Sequence, residues 1–155
     1  MSAITDRKID EVIAWAEAQS KHILSDGRAL SGFPLAMADA VGVKHVDRIR
    51  ILRVDQMPTP PTIAIEALMT RAEVIGPGLA GMTFGYGVCG TLGFTTAAVL
   101  AHEFRHVQQY ESAGSIAAFL KEYIKQIIEF GYPDAPYEVD ARAHEDIRPT
   151  ASFRR

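Results

Sequence analysis

The amino-acid sequence predicts an α+β fold that is mainly helical and contains a small sheet. Two kinds of pattern lead to this prediction. Most segments place apolar residues three or four positions apart, which is the spacing of an amphipathic helix. One segment, at about residues 82–88, instead alternates apolar side chains with glycine and threonine, which is the period of a strand. The chain has 155 residues, which is within the size range of a single domain, so we expect one compact domain that spans residues 1–155.

The first half of the chain contains three predicted helices and one predicted strand. Apolar residues recur at helical spacing from Ile9 to Ile23, and the turn residues Asp26-Gly27 end this first helix. A short second helix is predicted at residues 34–41. Residues 47–55 alternate charged and apolar side chains, which indicates a strand. Residues 63–74 have the pattern of a further helix.

The extended segment at about 82–88 is predicted to have one apolar face and one nearly bare face. The apolar face holds Met82, Phe84, Tyr86 and Val88, and the bare face holds Thr83, Gly85 and Gly87. Glycine in a strand allows another backbone to approach closely. We therefore keep two interpretations: close packing against a neighbouring element, or an exposed strand edge that pairs with an extended substrate.

Three helices are predicted in the second half of the chain. The first, at about residues 95–110, has Thr95 or Thr96 as its N-cap. It presents an apolar face for packing and a polar face that we expect to be solvated. The second helix, at residues 115–130, has a strong apolar stripe, and the third, at residues 137–147, is polar.

The helix at 95–110 contains the sequence His102-Glu103-Phe104-Arg105-His106, an HExxH motif. Two histidines four positions apart project from the same face of a helix, so their imidazoles can bind one metal ion. With five histidines among 155 residues, the pattern is rare by chance. The motif predicts a zinc hydrolase in which His102 and His106 bind the metal and Glu103 lies beside it.

A catalytic zinc site needs a third protein ligand. Glu138, near the start of the last helix, is the leading candidate, because a carboxylate on a facing helix can reach the metal and the small Ala141 allows close approach. Asp140, His144 and Glu145 are alternatives if that helix is rotated. An acidic residue here is also compatible with an ordinary solvated helix face.

The stretch from Leu100 to Tyr110, together with Glu138-Val139-Asp140-Ala141, resembles the gluzincin metallopeptidases, in which a later helix with an E-x-x-A pattern joins the HExxH helix. It is most similar to small, compact bacterial gluzincin-like proteins. The resemblance implies a zincin-like fold, with the segment at about 82–88 as an edge strand of the active-site cleft. It implies His102, His106 and Glu138 as zinc ligands and Glu103 as catalytic base.

The sequence departs from this family at one position. Several gluzincins carry an aspartate four residues after the third ligand, where it accepts a hydrogen bond from a histidine ligand. Here that position is Arg142, whose guanidinium only donates hydrogen bonds. Another acceptor is required, and Asp140 and Glu145 are the candidates.

Composition and charge exclude several classes of partner. A net charge of −3 provides no basic surface for nucleic acid or anionic lipid, so we expect neither nucleic acid nor a membrane as a partner. Acidic residues interrupt the N-terminal segment, so no secretory signal is indicated. Cys89 is the only cysteine, which excludes an internal disulfide and favours a reducing, cytoplasmic location.

These observations predict a zinc-dependent hydrolase that cleaves peptide or peptide-like amide bonds in a peptide or protein substrate. A metal-activated water would attack the amide, and Glu103 would be the general base. The alternative is a non-catalytic, zinc-stabilised binding module that recognises a peptide or partner strand. In a third possibility, the paired histidines only pack within the structure and bind no metal.

Overall fold

The computed structural model describes residues 6–60 and 80–150. Over these residues the chain forms five helices, four strands and a 3₁₀ turn at Val46–Arg48. The helices are α1 (Asp6–Asp26), α2 (Gly32–Ala40), α3 (Ala97–Ala113), α4 (Ile116–Phe130) and α5 (Pro136–Ala143). The strands are β1 (Arg28–Ala29), β2 (Arg50–Arg53), β3 (Gly81–Phe84) and β4 (Gly87–Gly90). The predicted α+β class, mainly helical with a small sheet, is confirmed.

The helices follow the apolar spacing of the sequence closely. α1 ends where predicted, and α2 and α3 differ from prediction by two or three residues at an end. The last helix is shorter than predicted, because after Ala143 the chain changes to i→i+3 hydrogen bonds, such as the one from the Ile147 amide to the His144 carbonyl. The helix predicted at 63–74 lies outside the described residues. No helix in the described ranges has the length and apolarity needed to cross a membrane.

The four strands form one mixed sheet in the order β1-β2-β4-β3. β2 and β4 are parallel, and the other two pairs are antiparallel. The strand predicted at 47–55 is confirmed over residues 50–53, because the residues before it form the 3₁₀ turn. β3 lies at one edge of the sheet as far as the described residues define it.

The prediction of one strand at about 82–88 is wrong, since this segment is a hairpin. β3 and β4 pair in antiparallel fashion, and residues 85 and 86 form the turn between them. Gly85 adopts a φ of 65°, which glycine tolerates at a reversal of this kind. Because the chain reverses, Val88 shares a face with its partner Thr83, and not with Met82 and Phe84 as predicted.

The two faces of the hairpin pack against different helices. Gly87 faces α1 so closely that a Cβ atom there would lie 3.0 Å from the Cβ of Ile23. On the opposite face, Val88 is fully buried in a cluster that contains Leu100 and Phe104 of α3. The sheet is therefore a layer between α1 and α3, and the HExxH helix lies directly on the β3–β4 hairpin.

Two short connections place α4 and α5 beside α3. Gly114 ends α3 in the left-handed region, with a φ of 96°, and Ser115 then caps α4 through a 3.0 Å hydrogen bond from the Ala118 amide. In the predicted apolar stripe of α4, Phe119 and Leu120 are buried, whereas Ile128 is exposed. α5 packs against α3 with Ala141 fully buried, as the close-approach argument predicted.

The Ser115 cap provides a test of how α4 is anchored. Ser115→Ala removes the acceptor for the Ala118 amide and should lower the free energy of unfolding by about 1 kcal/mol. Urea denaturation followed by circular dichroism measures this change. Ser112→Ala, an exposed site inside α3, is the matched control and should be neutral or slightly stabilising. Equal effects of the two changes would contradict the capping role.

Candidate metal centre

The HExxH motif lies in the middle of α3, between the sheet and the two last helices. The apolar side of α3 packs into the core with Leu100, Phe104 and Val107 fully buried. The prediction of a solvated polar face is wrong, because His106 and Gln109 on that face are buried as well. α4 covers this side with two aromatic rings, since the ring of His106 contacts Phe119 and Tyr123 edge to face.

α5 brings the carboxylate of Glu138 between the two histidines. Glu138 Oε1 lies 3.1 Å from Nε2 of His102, and Glu138 Oε2 lies 3.1 Å from Nε2 of His106. Glu138 is only 2 % exposed. Among the candidates for a third ligand, Glu138 is the one that lies beside the two histidines in the described part of the chain. One ligand atom from each of the three residues lies within 4.8 Å of the other two.

These separations are compatible with a tetrahedral metal site. Ligand atoms about 2.1 Å from a zinc ion at tetrahedral angles lie about 3.4 Å apart. Here each histidine Nε2 lies 3.1 Å from a different oxygen of Glu138, and one ligand atom from each of the three residues lies within 4.8 Å of the other two. Two imidazoles and one carboxylate are also the donor set of a common class of catalytic zinc sites.

The other ring nitrogen of each histidine contacts a hydrogen-bond acceptor. Nδ1 of His102 lies 2.8 Å from a carboxylate oxygen of Glu145. Nδ1 of His106 lies 2.8 Å from Oε1 of Gln109. The Gln109 oxygen is identified by its neighbours, because its amide nitrogen contacts the Tyr137 carbonyl and an Asp140 carboxylate oxygen, which only accept. Both Nδ1 atoms are therefore N–H donors.

This assignment has a direct electrostatic consequence. If Nδ1 carries the proton of a neutral imidazole, Nε2 has a lone pair directed at a Glu138 oxygen. Two lone-pair atoms 3.1 Å apart repel, so a cation is needed between them. A proton on each Nε2, or one divalent metal ion among the three ligand atoms, satisfies this need.

The pKa values of these three groups reflect the same contacts. Burial lowers the pKa of His106, but the hydrogen bond to Glu138 and the charge of that carboxylate more than compensate, and its pKa rises to about 9. The pKa of His102 is also raised, because the contact with Glu138 outweighs burial. Burial raises the pKa of Glu138, yet the hydrogen bonds from His102 and His106 hold it well below its usual value. The cluster is thus a strong site for positive charge.

Glu145 provides the acceptor that Arg142 cannot. The Arg142 guanidinium instead donates to the carbonyl of Pro133 in the loop before α5. Glu145 lies beyond the end of α5 and reaches back to His102. The acceptor that the sequence analysis requires in place of Arg142 is therefore the Glu145 carboxylate, which orients His102.

Two tyrosines surround the Glu138 carboxylate. The Tyr123 hydroxyl donates a 2.8 Å hydrogen bond to Glu138 Oε2, a role that sequence analysis missed because Tyr123 is part of an apolar stripe. Burial, together with the charges of Glu138 and Glu103, raises the pKa of the half-buried Tyr132. Tyr132 therefore lies in the electrostatic field of both glutamates.

The sheet positions Glu103. The Thr83 hydroxyl donates to Glu103 Oε1 at 2.8 Å. Gly81, on the same face of β3, leaves room for the glutamate, because a Cβ atom at residue 81 would lie 3.0 Å from Glu103 Cγ. One carboxylate oxygen of Glu103 is thereby fixed against the sheet.

The bare positions of the hairpin fit the packing interpretation. Gly87 accommodates Ile23, and Gly85 forms the turn. The Thr83 carbonyl accepts a 3.1 Å hydrogen bond from the Tyr110 hydroxyl, so this main-chain group of the edge strand already has a partner. Glycine in this segment is therefore explained by the fold, without a substrate.

The contact between Thr83 and Glu103 can be tested by an almost isosteric change. Thr83→Val removes the donor from a buried carboxylate and should lower the free energy of unfolding by about 1–3 kcal/mol. Thermal and urea denaturation measure this loss. Thr95→Val, at an exposed position before α3, should stay within about 0.5 kcal/mol of the unchanged protein. A Thr83→Val protein as stable as that control would contradict the contact.

Comparisons with known proteins identify no relative. No protein-family model, no curated protein and no solved structure matches this chain. The function must therefore be inferred from the geometry of the His102, His106 and Glu138 cluster and from the residues that surround it.

Proposed function

We propose that this protein is a zinc-dependent hydrolase of peptide or peptide-like amide bonds. His102, His106 and Glu138 are the zinc ligands in this proposal, and Glu103 is the general base. The gluzincin resemblance of the sequence supports the same assignment. It adds a zincin-like arrangement in which the HExxH helix and a later helix share one metal.

The observation that carries the proposal is the convergence of three ligand atoms from two helices. The imidazoles of His102 and His106 face one buried carboxylate, and their outer nitrogens are both committed as donors. Ligand histidines in zinc proteins nearly always donate their second N–H to an acceptor in this way. A purely structural pair of histidines does not require two such acceptors as well as a shared carboxylate.

The chemistry assigned to Glu103 follows from its position. Bound zinc supplies a Lewis acid that acidifies water and polarises a carbonyl group. Glu103 lies close enough to raise the pKa of both histidines through its charge. Its second carboxylate oxygen takes a proton from the attacking water and returns it to the leaving amine nitrogen.

Metal binding is tested by zinc addition and removal. Zinc should raise the melting temperature of the metal-free protein, and a concentration of 100 times Kd corresponds to about 2.7 kcal/mol of added stability. Glu138→Gln keeps the shape of the side chain but loses its charge, and this change should remove most of the increase. Scanning calorimetry with zinc and then with a chelator measures both effects.

Glu129→Gln is the control for zinc binding, since Glu129 is an exposed carboxylate on α4. Its zinc-dependent stabilisation should equal that of the unchanged protein. An equal shift in the Glu138→Gln protein would show that Glu138 is no ligand.

Catalysis is tested by Glu103→Gln. This variant should retain zinc in the same stoichiometry, because Glu103 is not a ligand in the proposal. Its rate on a mixed peptide library should fall by at least about 100-fold, because the general base is lost. Mass spectrometry of the digested library and elemental analysis of the protein provide the two measurements.

Glu129→Gln again serves as the matched control and should cleave the library at the unchanged rate. Undiminished cleavage by the Glu103→Gln protein would rule out Glu103 as the base. A zinc-loaded protein that binds peptides and cleaves none of them would instead favour the zinc-stabilised binding module.

A further inference from the structure

A chain of hydrogen bonds runs from His106 to the far side of α3. The Gln109 amide oxygen accepts from His106 Nδ1, and its amide nitrogen donates to Asp140 Oδ2 at 2.9 Å. The Arg105 guanidinium donates to the same Asp140 oxygen at 2.8 Å. Arg105 also donates to the Val41 carbonyl at the end of α2, again at 2.8 Å. This series of hydrogen bonds therefore connects His106, a candidate metal ligand, with α2, α3 and α5.

Each group in this chain has only one possible hydrogen-bonding role. The Arg105 guanidinium can only donate, so the Asp140 oxygen that it contacts is an acceptor. The Tyr137 carbonyl, at 2.9 Å from the Gln109 nitrogen, is a second acceptor. With both amide hydrogens engaged, Gln109 can present only its oxygen to His106.

The side chain of Gln109 is also held rigidly. It is 4 % exposed and lies between α3 and the first turn of α5. A long side chain in such surroundings has lost its rotamer freedom on folding, so the surrounding protein holds the amide oxygen in place.

We propose that Gln109, held by Asp140 and Arg105, is a positioning residue that fixes the ring of His106 for zinc binding. The inference rests on the proposed zinc function. It assigns to an amide the role that a carboxylate, Glu145, has at His102. The two histidines are thus oriented by different chemical groups, one charged and one neutral.

The inference is tested by Gln109→Leu, with Gln108→Leu as the control at the neighbouring position. Gln109→Leu should weaken zinc binding by about 10- to 100-fold, the usual effect of removing a partner of a ligand histidine. Gln108→Leu should change zinc binding by less than about threefold. Competition with a chromophoric chelator gives the dissociation constants, and circular dichroism confirms that each variant is folded.

A spectroscopic measurement separates positioning from a general structural role. In the zinc-loaded protein, the Nδ1–H protons of His102 and His106 should both be protected from exchange and visible by NMR. Gln109→Leu should remove the His106 signal and leave the His102 signal in place. A general loss of helix packing would weaken the Nδ1–H signals of both histidines, and not that of His106 alone.

Asp140→Asn is the second variant, and it decides the question if Gln109→Leu does not fold. It should weaken zinc binding at least about threefold, and it should add no further loss when combined with a folded Gln109→Leu. Unchanged zinc affinity and an unchanged His106 signal in either variant would overturn the inference. If the unchanged protein binds no zinc at all, the proposed function itself fails, which is a separate result.

Discussion

The arrangement of this protein depends on one buried carboxylate held between two imidazoles. Glu138 brings a negative charge into the interior, and such a charge is stable there only with close, well-oriented partners. His102 and His106 are these partners, and Tyr123 adds a hydrogen bond. Because the histidines belong to α3 and the glutamate to α5, the two helices must meet at this point. The buried Ala141 is the small residue that lets them do so.

The sheet contributes rigidity to the same region. β3 lies against α3, and its Gly81 and Thr83 provide space for Glu103 and a donor to it. Reacting groups on regular elements are placed more accurately than groups on loops. Glu103 is therefore held by the sheet, whereas the cluster of His102, His106 and Glu138 is held by helices. α3 carries Glu103 and both histidines, so it joins the two groups.

Much of the fold and most of the candidate cluster could be predicted from sequence, because helical spacing and the HExxH motif are local signals. The sequence does not reveal the hairpin, because Gly85 fits a continuous alternation, although glycine is also the residue of tight turns. Glu138 could not be separated from its rivals, since the rotation of α5 is set by packing and not by its own sequence. In the sequence, Gln109 is one more residue of a polar helix face. Its role depends on Asp140 and Tyr137, which are distant in sequence, so no local pattern reveals it.

The two histidines differ in how far they are enclosed. The side chain of His102 is 15 % exposed, and its partner Glu145 is more than a third exposed. His106 is closed in by the rings of Phe119 and Tyr123. Among the described residues, His102 is therefore the more accessible of the two imidazoles, and an ion or solute that arrives from the surrounding water on this side encounters His102 before the deeper ring.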